Sequence, residues 1–385
     1  NQRRPVLVWI HGGGFLSGSG NLPFYAGDTF ARDGDLVAIS INYRIGPLGF
    51  LAGLGDHNVW LTDQIAALRW IADNVAAFGG DPDRITLAGQ SGGGFSIAAL
   101  AQHRDSRGLF RRGILQSPPL GLRLPSAVDA VARTRALARQ LGHDDIQALR
   151  DEPWQRLISG TIGVLTETAE FGEWGLAYYP VIDESTMPRH PLETLADTDI
   201  DIMIGWTRDE ATFAFGMDPR YADTTRDQVI AWAGKRHADP EAVYDRYAVP
   251  GQVSPLTVLT TMVTDGLFRD AALSVANTRS TTRPVYAYQF DVASPLLDGA
   301  LGATHCLELP FTFGNLDRWG PAPFIYGLDP TVYEHVSSAL HPAWIGFIRS
   351  GDPTHQGLPT WPRYRDNDRT VLTIQEDTIR PVARS

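Results

Sequence analysis

The sequence has a single cysteine, a single lysine and no long apolar run, and the first and last of these exclude particular structures. Cys306 is the single cysteine among 385 residues, so no intrachain disulfide and no thiolate zinc site is expected. Lys235 is the single lysine, which we interpret as a compositional bias toward arginine without functional content. No apolar run reaches the ~18 residues of a membrane-spanning helix, and no signal-peptide pattern is present.

The chain is acidic, with 33 basic and 44 acidic residues and a net charge of −11. This balance disfavours nucleic acid and anionic membranes as partners, because both attract basic surfaces. The single cysteine is compatible with a reducing compartment, so a soluble, cytoplasmic protein is favoured, although the compartment and the oligomeric state stay open. The chain starts with Asn-Gln-Arg-Arg rather than methionine, and we expect it to be an interior fragment or a trimmed domain.

Short apolar runs alternate with helical segments, which is typical of a parallel sheet covered by helices on both faces. The apolar runs predict strands over residues 4–10, 36–43, 85–88, 112–116, 200–206, 284–290 and 371–374. Helices are predicted over residues 61–78, 95–101, 127–141 and 332–349. The apolar face of the first of these helices is expected to contain Leu61, Ile65, Leu68, Ile71, Val75 and Phe78.

Residues 120–180 interrupt this alternation with helical stretches and no strong strand. We interpret them as a helical, cap-like insertion over the sheet. No internal repeat and no Pro/Gly/Ser-rich linker divides the chain, so residues 1–385 are expected to form a single α/β domain.

Residues 89–93, Gly-Gln-Ser-Gly-Gly, match the pattern G-x-S-x-G between a predicted strand and a predicted helix. In this motif the serine lies on a sharp turn with its hydroxyl clear of the backbone. The pattern alone is common, so the strand before it and the helix after it are what support Ser91 as a nucleophile. An ordinary glycine-rich turn is the alternative interpretation.

The groups that activate a serine follow predicted strands in the order serine, acid, histidine, which is the order of the α/β-hydrolase triad. The acid follows the strand at residues 200–206, and Asp209 and Glu210 are both candidates. His305 is one of ten histidines, and it alone lies in a loop of suitable length after a sheet strand. An imidazole takes the serine proton, and a carboxylate on its other nitrogen orients the ring.

Glycines also supply candidates for binding the oxyanion that develops during acyl transfer. Gly12, Gly13 and Gly14 follow the first predicted strand directly after a histidine, and glycine can turn consecutive N–H groups inward. The N–H of Gly92, the residue after the nucleophile, is another expected donor. A flexible turn is the alternative for the triplet. Nothing in the sequence suggests a metal or an organic cofactor.

With these residues in hand, the sequence resembles the type-B carboxylesterases, the carboxylesterase/cholinesterase group of α/β-hydrolases. The similar segments are residues 6–20 (VLVWIHGGGFLSGSG), 37–51, 61–94, 109–118, 204–215, 302–314 (GATHCLELPFTFG) and 344–353. The resemblance implies the α/β-hydrolase fold with Ser91 as nucleophile, His305 as base and Glu210 as acid. It also implies an oxyanion hole formed by the N–H groups of Gly13, Gly14 and Gly92.

Four residues depart from what is common in this family. Gly92 stands where alanine is usual, Gln90 where many members have glutamate, and Ala211 and Cys306 where glycine is common. None of these changes removes a reacting group. The resemblance further implies that the first strands of the sheet are missing from this chain, so the strand at residues 36–43 is expected to be an exposed apolar edge. A longer natural protein, or some cover for this edge, is expected. Gln90 and the missing segment argue against a cholinesterase-like specificity.

The expected function is serine carboxylic-ester hydrolysis through an acyl-enzyme on Ser91, with a small-molecule ester and water as partners. Activity is expected to rise with pH as the histidine loses its proton. An amide, carbamate or lipid-ester hydrolase on the same triad is the alternative, followed by a non-catalytic binding module of the same fold. The aromatic residues that are candidates for the substrate pocket or for the core are Trp174, Tyr178, Phe213, Phe215 and Phe313.

Overall fold

A computed structural model describes residues 3–248 and 253–384, and these residues contain one eight-stranded sheet. The strands are β1 (Arg4–Ile10), β2 (Val37–Ile41), β3 (Gly80–Gln90), β4 (Arg112–Gln116), β5 (Asp201–Thr207), β6 (Val285–Phe290), β7 (Thr370–Ile374) and β8 (Ile379–Ala383). Their spatial order is β2-β1-β3-β4-β5-β6-β7-β8. Neighbours run parallel except β7 and β8, which run antiparallel, so the predicted mostly parallel sheet is confirmed.

The α-helices follow the chain around this sheet. They are α1 (Asp28–Gly34), α2 (Pro47–Phe50), α3 (Val59–Asn74), α4 (Gly92–Gln102), α5 (Ala127–Gln140), α6 (Trp154–Thr168), α7 (Pro191–Thr194), α8 (Thr212–Phe215), α9 (Arg226–Gly234), α10 (Pro240–Tyr247), α11 (Pro255–Thr264), α12 (Asp270–Ser280), α13 (Leu309–Phe313) and α14 (Pro330–Ser350). A π-helical turn, Asp265–Arg269, joins α11 to α12. A helix able to cross a bilayer is absent from the described residues, since none combines the necessary length with the necessary apolar character.

Between the edge strands β2 and β8, the sheet is buried on both faces, which is why its inner strands read as continuous apolar runs. Along β1, Val6 and Val8 pack into one core with α3 to α12, while Leu7 and Trp9 pack into a second core with α1, α13 and α14. Side chains of a strand alternate between its two faces, so one short run supplies both cores. The helical layers on the two faces confirm the predicted arrangement.

One predicted detail was wrong, and one strand was not predicted. Phe78 is 65% exposed rather than part of the apolar face of a helix. The helix α3 ends at Asn74, and the following 3₁₀ turn, Val75–Phe78, has three residues per turn, which rotates Phe78 away from the core. The sequence also gave no indication of β8, a short strand whose central residues, Arg380 and Pro381, are exposed.

Within the described residues, β2 forms one edge of the sheet and pairs with β1 alone. Val37, Ala38 and Ile39 are half-buried and Ser40 is exposed. The expected apolar edge strand is therefore present in this part of the chain.

Candidate active site

The proposed nucleophile Ser91 lies in the turn between β3 and α4. Its backbone angles are φ 56° and ψ −123°, a conformation that non-glycine residues rarely adopt. The Ser91 N–H donates to the carbonyl oxygen of Gln116 at the end of β4, 2.8 Å away, which fixes the turn against the sheet. The strand, the strained turn and the helix of the serine motif are therefore all present.

Gly93 shows why this turn requires glycine. A Cβ atom at Gly93 would lie 2.0 Å from the carbonyl oxygen of Ile10 on β1, closer than any real contact. Because that obstacle is backbone, no side-chain movement relieves it. The second glycine of the motif lets α4 begin directly against β1 and so fixes the position of the serine.

Glu210 and His305 are brought into direct contact at the carboxyl ends of β5 and β6. Nδ1 of His305 forms a short hydrogen bond with Oε2 of Glu210, and Oε1 of Glu210 accepts the backbone N–H of Thr207 at 2.8 Å. The Glu210 side chain is fully buried and that of His305 is 4% exposed. The carboxylate is thereby held by one backbone donor and one imidazole donor.

Asp209, the other candidate acid, points elsewhere. Its Oδ2 accepts the N–H of Ala303 at 2.8 Å and also contacts the Arg208 guanidinium at 2.9 Å. The residue therefore shapes the loop that carries His305 without touching the imidazole.

A catalytic triad also needs a hydrogen bond between the serine hydroxyl and the histidine, and here the structure differs from the expectation. No hydrogen bond joins the Ser91 hydroxyl to His305 in the described part of the chain. Nε2 of His305 instead lies 3.0 Å from Nε2 of the Gln90 side chain. Such catalytic hydrogen bonds often tighten only when substrate binds. Gln90 was noted as a family departure in the sequence, but nothing there indicated this contact.

The glycine loop after β1 faces the same turn. Gly13 and Gly14 have φ values of 116° and 60°, and the loop closes through the N–H of Ser17, which donates to the carbonyl oxygen of Gly13 at 3.0 Å. Among the described contacts, the N–H groups of Gly13, Gly14 and Gly92 donate no hydrogen bond. Three free donors near the serine turn suit the binding of a negative charge, which the N-terminus of α4 also favours.

His11 supports this loop from beneath. Its Nδ1 donates to the carbonyl oxygen of Gly12 at 2.8 Å, and its ring stacks on Tyr43 with centroids 4.6 Å apart. The Tyr43 hydroxyl donates to the carbonyl oxygen of His11 at 2.8 Å. Burial lowers the pKa of His11, so the ring is neutral and holds the loop as a donor.

Three aromatic rings surround the His305 imidazole. The ring centroids of Trp174, Phe213 and Phe268 lie 5.4, 5.9 and 5.3 Å from it. Two cavities of about 490 and 390 Å³ meet at Trp174 and Glu173, which line both. Volumes of this size hold small organic ligands.

The aromatic residues proposed from sequence divide into two groups. Trp174 and Phe213 contact His305 as described, and Phe215 lines the smaller cavity although it is buried. Tyr178 is buried and hydrogen-bonded to Thr161, and Phe313 packs against Trp9 in the core on the opposite face of the sheet. Phe268 was missed, because the helical sequence around it gives no sign of which side meets the histidine.

Glu308, which the sequence analysis did not single out, is a buried carboxyl close to this site. Its Oε1 accepts from Nε2 of Gln116 at 3.1 Å, while its Oε2 has no partner among the described residues. Burial, reinforced by the nearby charge of Glu210, raises the pKa of Glu308 to about 7. A second carboxyl that shares this pocket therefore ionises only near neutral pH.

This raised pKa predicts how stability depends on pH. Folded protein keeps the Glu308 proton up to about pH 7, whereas an unfolded chain releases it near 4.5, so stability is lost as pH rises between these values. The Glu308→Gln variant stays uncharged, and its loss of unfolding free energy between pH 5 and pH 8 should be smaller than that of the parent by about 3 kcal/mol. Urea denaturation at the two pH values measures the difference. Glu334→Gln, on the exposed face of α14, is the control and should leave the loss unchanged. An equal loss in the Glu308→Gln variant would contradict the shifted ionisation.

The sheet order, and the serine on a strand–turn–helix at its centre, define an α/β-hydrolase. Residues 1–383 match the model of the Carboxylesterase family, and the chain belongs to that family. It is similar to a phenmedipham hydrolase of Pseudarthrobacter oxydans, with 64% identity over 375 residues, which are 97% of this chain and 76% of that protein. A para-nitrobenzyl esterase of Bacillus subtilis is 33% identical over 390 residues, 98% of this chain and 77% of that protein.

Solved structures agree with these sequence relatives. A carboxylesterase of Geobacillus stearothermophilus superimposes with a TM-score of 0.87 at 34% identity, covering 99% of this chain and 80% of that chain. A thermophilic pNB esterase superimposes with a TM-score of 0.86 at 32% identity, covering 99% and 78%. The protein is thus an enzyme of the carboxylesterase type that hydrolyses small-molecule esters with water, and not a non-catalytic module of the fold.

Proposed function

We propose that Ser91, His305 and Glu210 form the catalytic triad of this esterase. The observation that carries the proposal is the buried contact between Nδ1 of His305 and the Glu210 carboxylate, formed beside the strained serine turn. A carboxylate on Nδ1 fixes the tautomer in which Nε2 is free to accept a proton, and it stabilises the imidazolium that results.

In the proposed mechanism the Ser91 hydroxyl attacks the ester carbonyl while its proton passes to Nε2 of His305. The oxyanion accepts hydrogen bonds from the N–H groups of Gly13, Gly14 and Gly92, three donors free of other partners among the described contacts. His305 then protonates the departing alcohol, which leaves an acyl-serine. A water molecule, deprotonated by the same imidazole, attacks this ester and releases the acid and the serine.

For the substrate we propose aromatic esters and aromatic carbamates. Three rings around His305 offer stacking surfaces to an aryl group next to the reacting carbonyl. The relative that is 64% identical acts on phenmedipham, a carbamate. A lipid ester is the weaker candidate, because the surfaces described around His305 are aromatic rings.

We further propose that residues 1–385 form a single domain in which residues 120–180 are a cap-like insertion over the site. Support comes from α5 and α6, which occupy this segment, and from Trp174, which reaches from it to the His305 ring. The segment would then close one side of both cavities and help to choose the substrate.

The proposal is tested by labelling the enzyme with a fluorophosphonate and mapping the adduct by mass spectrometry. We expect one adduct, on Ser91, and its absence would contradict an activated serine. A panel of phenyl and hexyl esters and carbamates then tests the substrate class. Higher kcat/KM for the aryl members is expected, and a rate that jumps when a lipid ester forms micelles would point to a lipase instead.

A further inference from the structure

Gln90 contacts Nε2 of His305, the nitrogen that takes the serine proton in the proposed mechanism. It is the last residue of β3, directly before Ser91, and it is 1% exposed. Its Nε2 lies 3.0 Å from Nε2 of His305. The amide is therefore held inside the site and not at its rim.

The surroundings of the ring decide which atom donates. Nδ1 of His305 faces the Glu210 carboxylate, an acceptor, so Nδ1 carries a proton. In the neutral ring Nε2 then has only a lone pair, and the Gln90 amide must donate to it. The Ser91 hydroxyl would have to donate to that same lone pair before it can lose its proton.

We propose that Gln90 is a positioning residue that holds His305 neutral in the resting enzyme by donating to Nε2 in competition with Ser91. This inference rests on the proposed role of His305 as the base. When substrate enters and the serine hydroxyl turns to Nε2, the amide has to give way. The base is thereby kept unprotonated and oriented until the ester is in place.

The chemistry of an amide distinguishes Gln90 from the glutamate that many family members carry at this position. A hydrogen bond donated to the neutral imidazole favours the neutral ring, whereas an ionised carboxylate at the same place favours the imidazolium. Glutamine should therefore extend activity toward lower pH. The other titratable groups that face the ring are Glu210 after β5 and Cys306 and Glu308 in its own loop. None of these three residues is substituted in the variants below, so a shift in a Gln90 variant arises from the change at residue 90.

The test compares Gln90→Glu and Gln90→Met with the parent enzyme, using kcat/KM for a non-ionising aryl ester between pH 5 and 9. Methionine keeps the volume without a donor, so the midpoint of the acidic limb should move upward by about 0.5 pH unit. Glutamate adds an anion, and the midpoint should move upward by about 1 pH unit, with up to tenfold lower activity near pH 6. In both variants the loss relative to the parent should be smaller at the alkaline plateau than near pH 6, because no reacting group is removed.

Gln64→Met is the matched control, since Gln64 is a buried glutamine whose Nε2 donates to the Ser96 hydroxyl at 3.1 Å. Its acidic limb should coincide with that of the parent. An unshifted limb in Gln90→Met overturns the inference, even if Gln90→Glu is shifted by its added anion, as does a loss of activity that is equal at every pH. If Gln90→Met fails to fold, Gln90→Leu, which also lacks a donor, takes its place, because the anion of Gln90→Glu would shift the limb whatever the parent amide does.

Fluorophosphonate labelling separates this inference from the proposed function. The rate of Ser91 labelling should show the same shifted limb as kcat/KM in each variant. If Ser91 is labelled but the pH dependence of its labelling rate is the same in Gln90→Met as in the parent, only the proposed role of Gln90 is contradicted. If Ser91 is not labelled in the parent enzyme, the proposed triad itself is contradicted.

Discussion

Replacing Ser91 with alanine is expected to lower kcat for ester hydrolysis by about 10⁴–10⁶-fold. The hydroxyl is the atom that forms the acyl-enzyme, and no other serine of the described chain stands on a turn between a central strand and a helix N-terminus. Alanine retains the Cβ atom that the turn at φ 56° already accommodates, so folding should be unaffected. Residual hydrolysis is expected from the oxyanion donors and the aromatic walls alone.

The matched control is Ser106→Ala, because Ser106 is also a buried serine, with its hydroxyl donating to the carbonyl oxygen of Leu100. This variant should lose some stability and keep its kcat. Thermal unfolding of both variants checks that neither effect is a folding defect. A Ser91→Ala enzyme with full activity, or one that still forms a fluorophosphonate adduct at an equal rate, would place the nucleophile elsewhere.

Much of this architecture follows from local sequence patterns. The run at β1 is apolar throughout because both faces of the strand are covered, and the glycine-rich turns at residues 12–14 and 89–93 mark places where backbones meet too closely for a Cβ atom. A parallel sheet with connections of one hand then brings the carboxyl ends of its strands to one edge. The chain order of serine, acid and histidine could therefore be read without coordinates.

Contacts between distant side chains could not be read in this way. Gln90 and His305 are separated by 215 positions, and their hydrogen bond depends on the rotamers of both side chains. Sequence showed only that an amide stands where a carboxylate is common. That the amide reaches Nε2 of the histidine is a property of the assembled site.

Burial of charge was equally invisible to the sequence. Glu308 lies three residues after His305, and an acidic residue in a loop is usually solvated. Here the side chain is fully buried, and Gln116 at the end of β4, 192 positions away, supplies one hydrogen bond. The sequence identified the loop as functional, but the enclosure that shifts this ionisation comes from elements far away in the chain.

Replacing Glu210 with glutamine is expected to lower kcat by about 10⁴-fold while the fold is preserved. The reason lies in the direction of the hydrogen bonds. The backbone N–H of Thr207 needs an acceptor, so the amide oxygen should stay where Oε1 is now and the amide NH₂ should face His305. Nδ1 would then have to accept rather than donate, and the neutral ring would carry its proton on Nε2. That tautomer cannot take the proton of the serine.

The neighbouring Asp209→Asn variant is the decisive comparison, because the residue pattern alone does not distinguish the two acids. An asparagine oxygen can still accept the N–H of Ala303, and the lost ion pair with Arg208 is partly exposed, so kcat should stay within about threefold of the parent. Steady-state kinetics at the alkaline plateau measures both variants. If Asp209→Asn shows the large loss and Glu210→Gln does not, the acid of the triad is Asp209 and the contact between Glu210 and the imidazole has only a structural role.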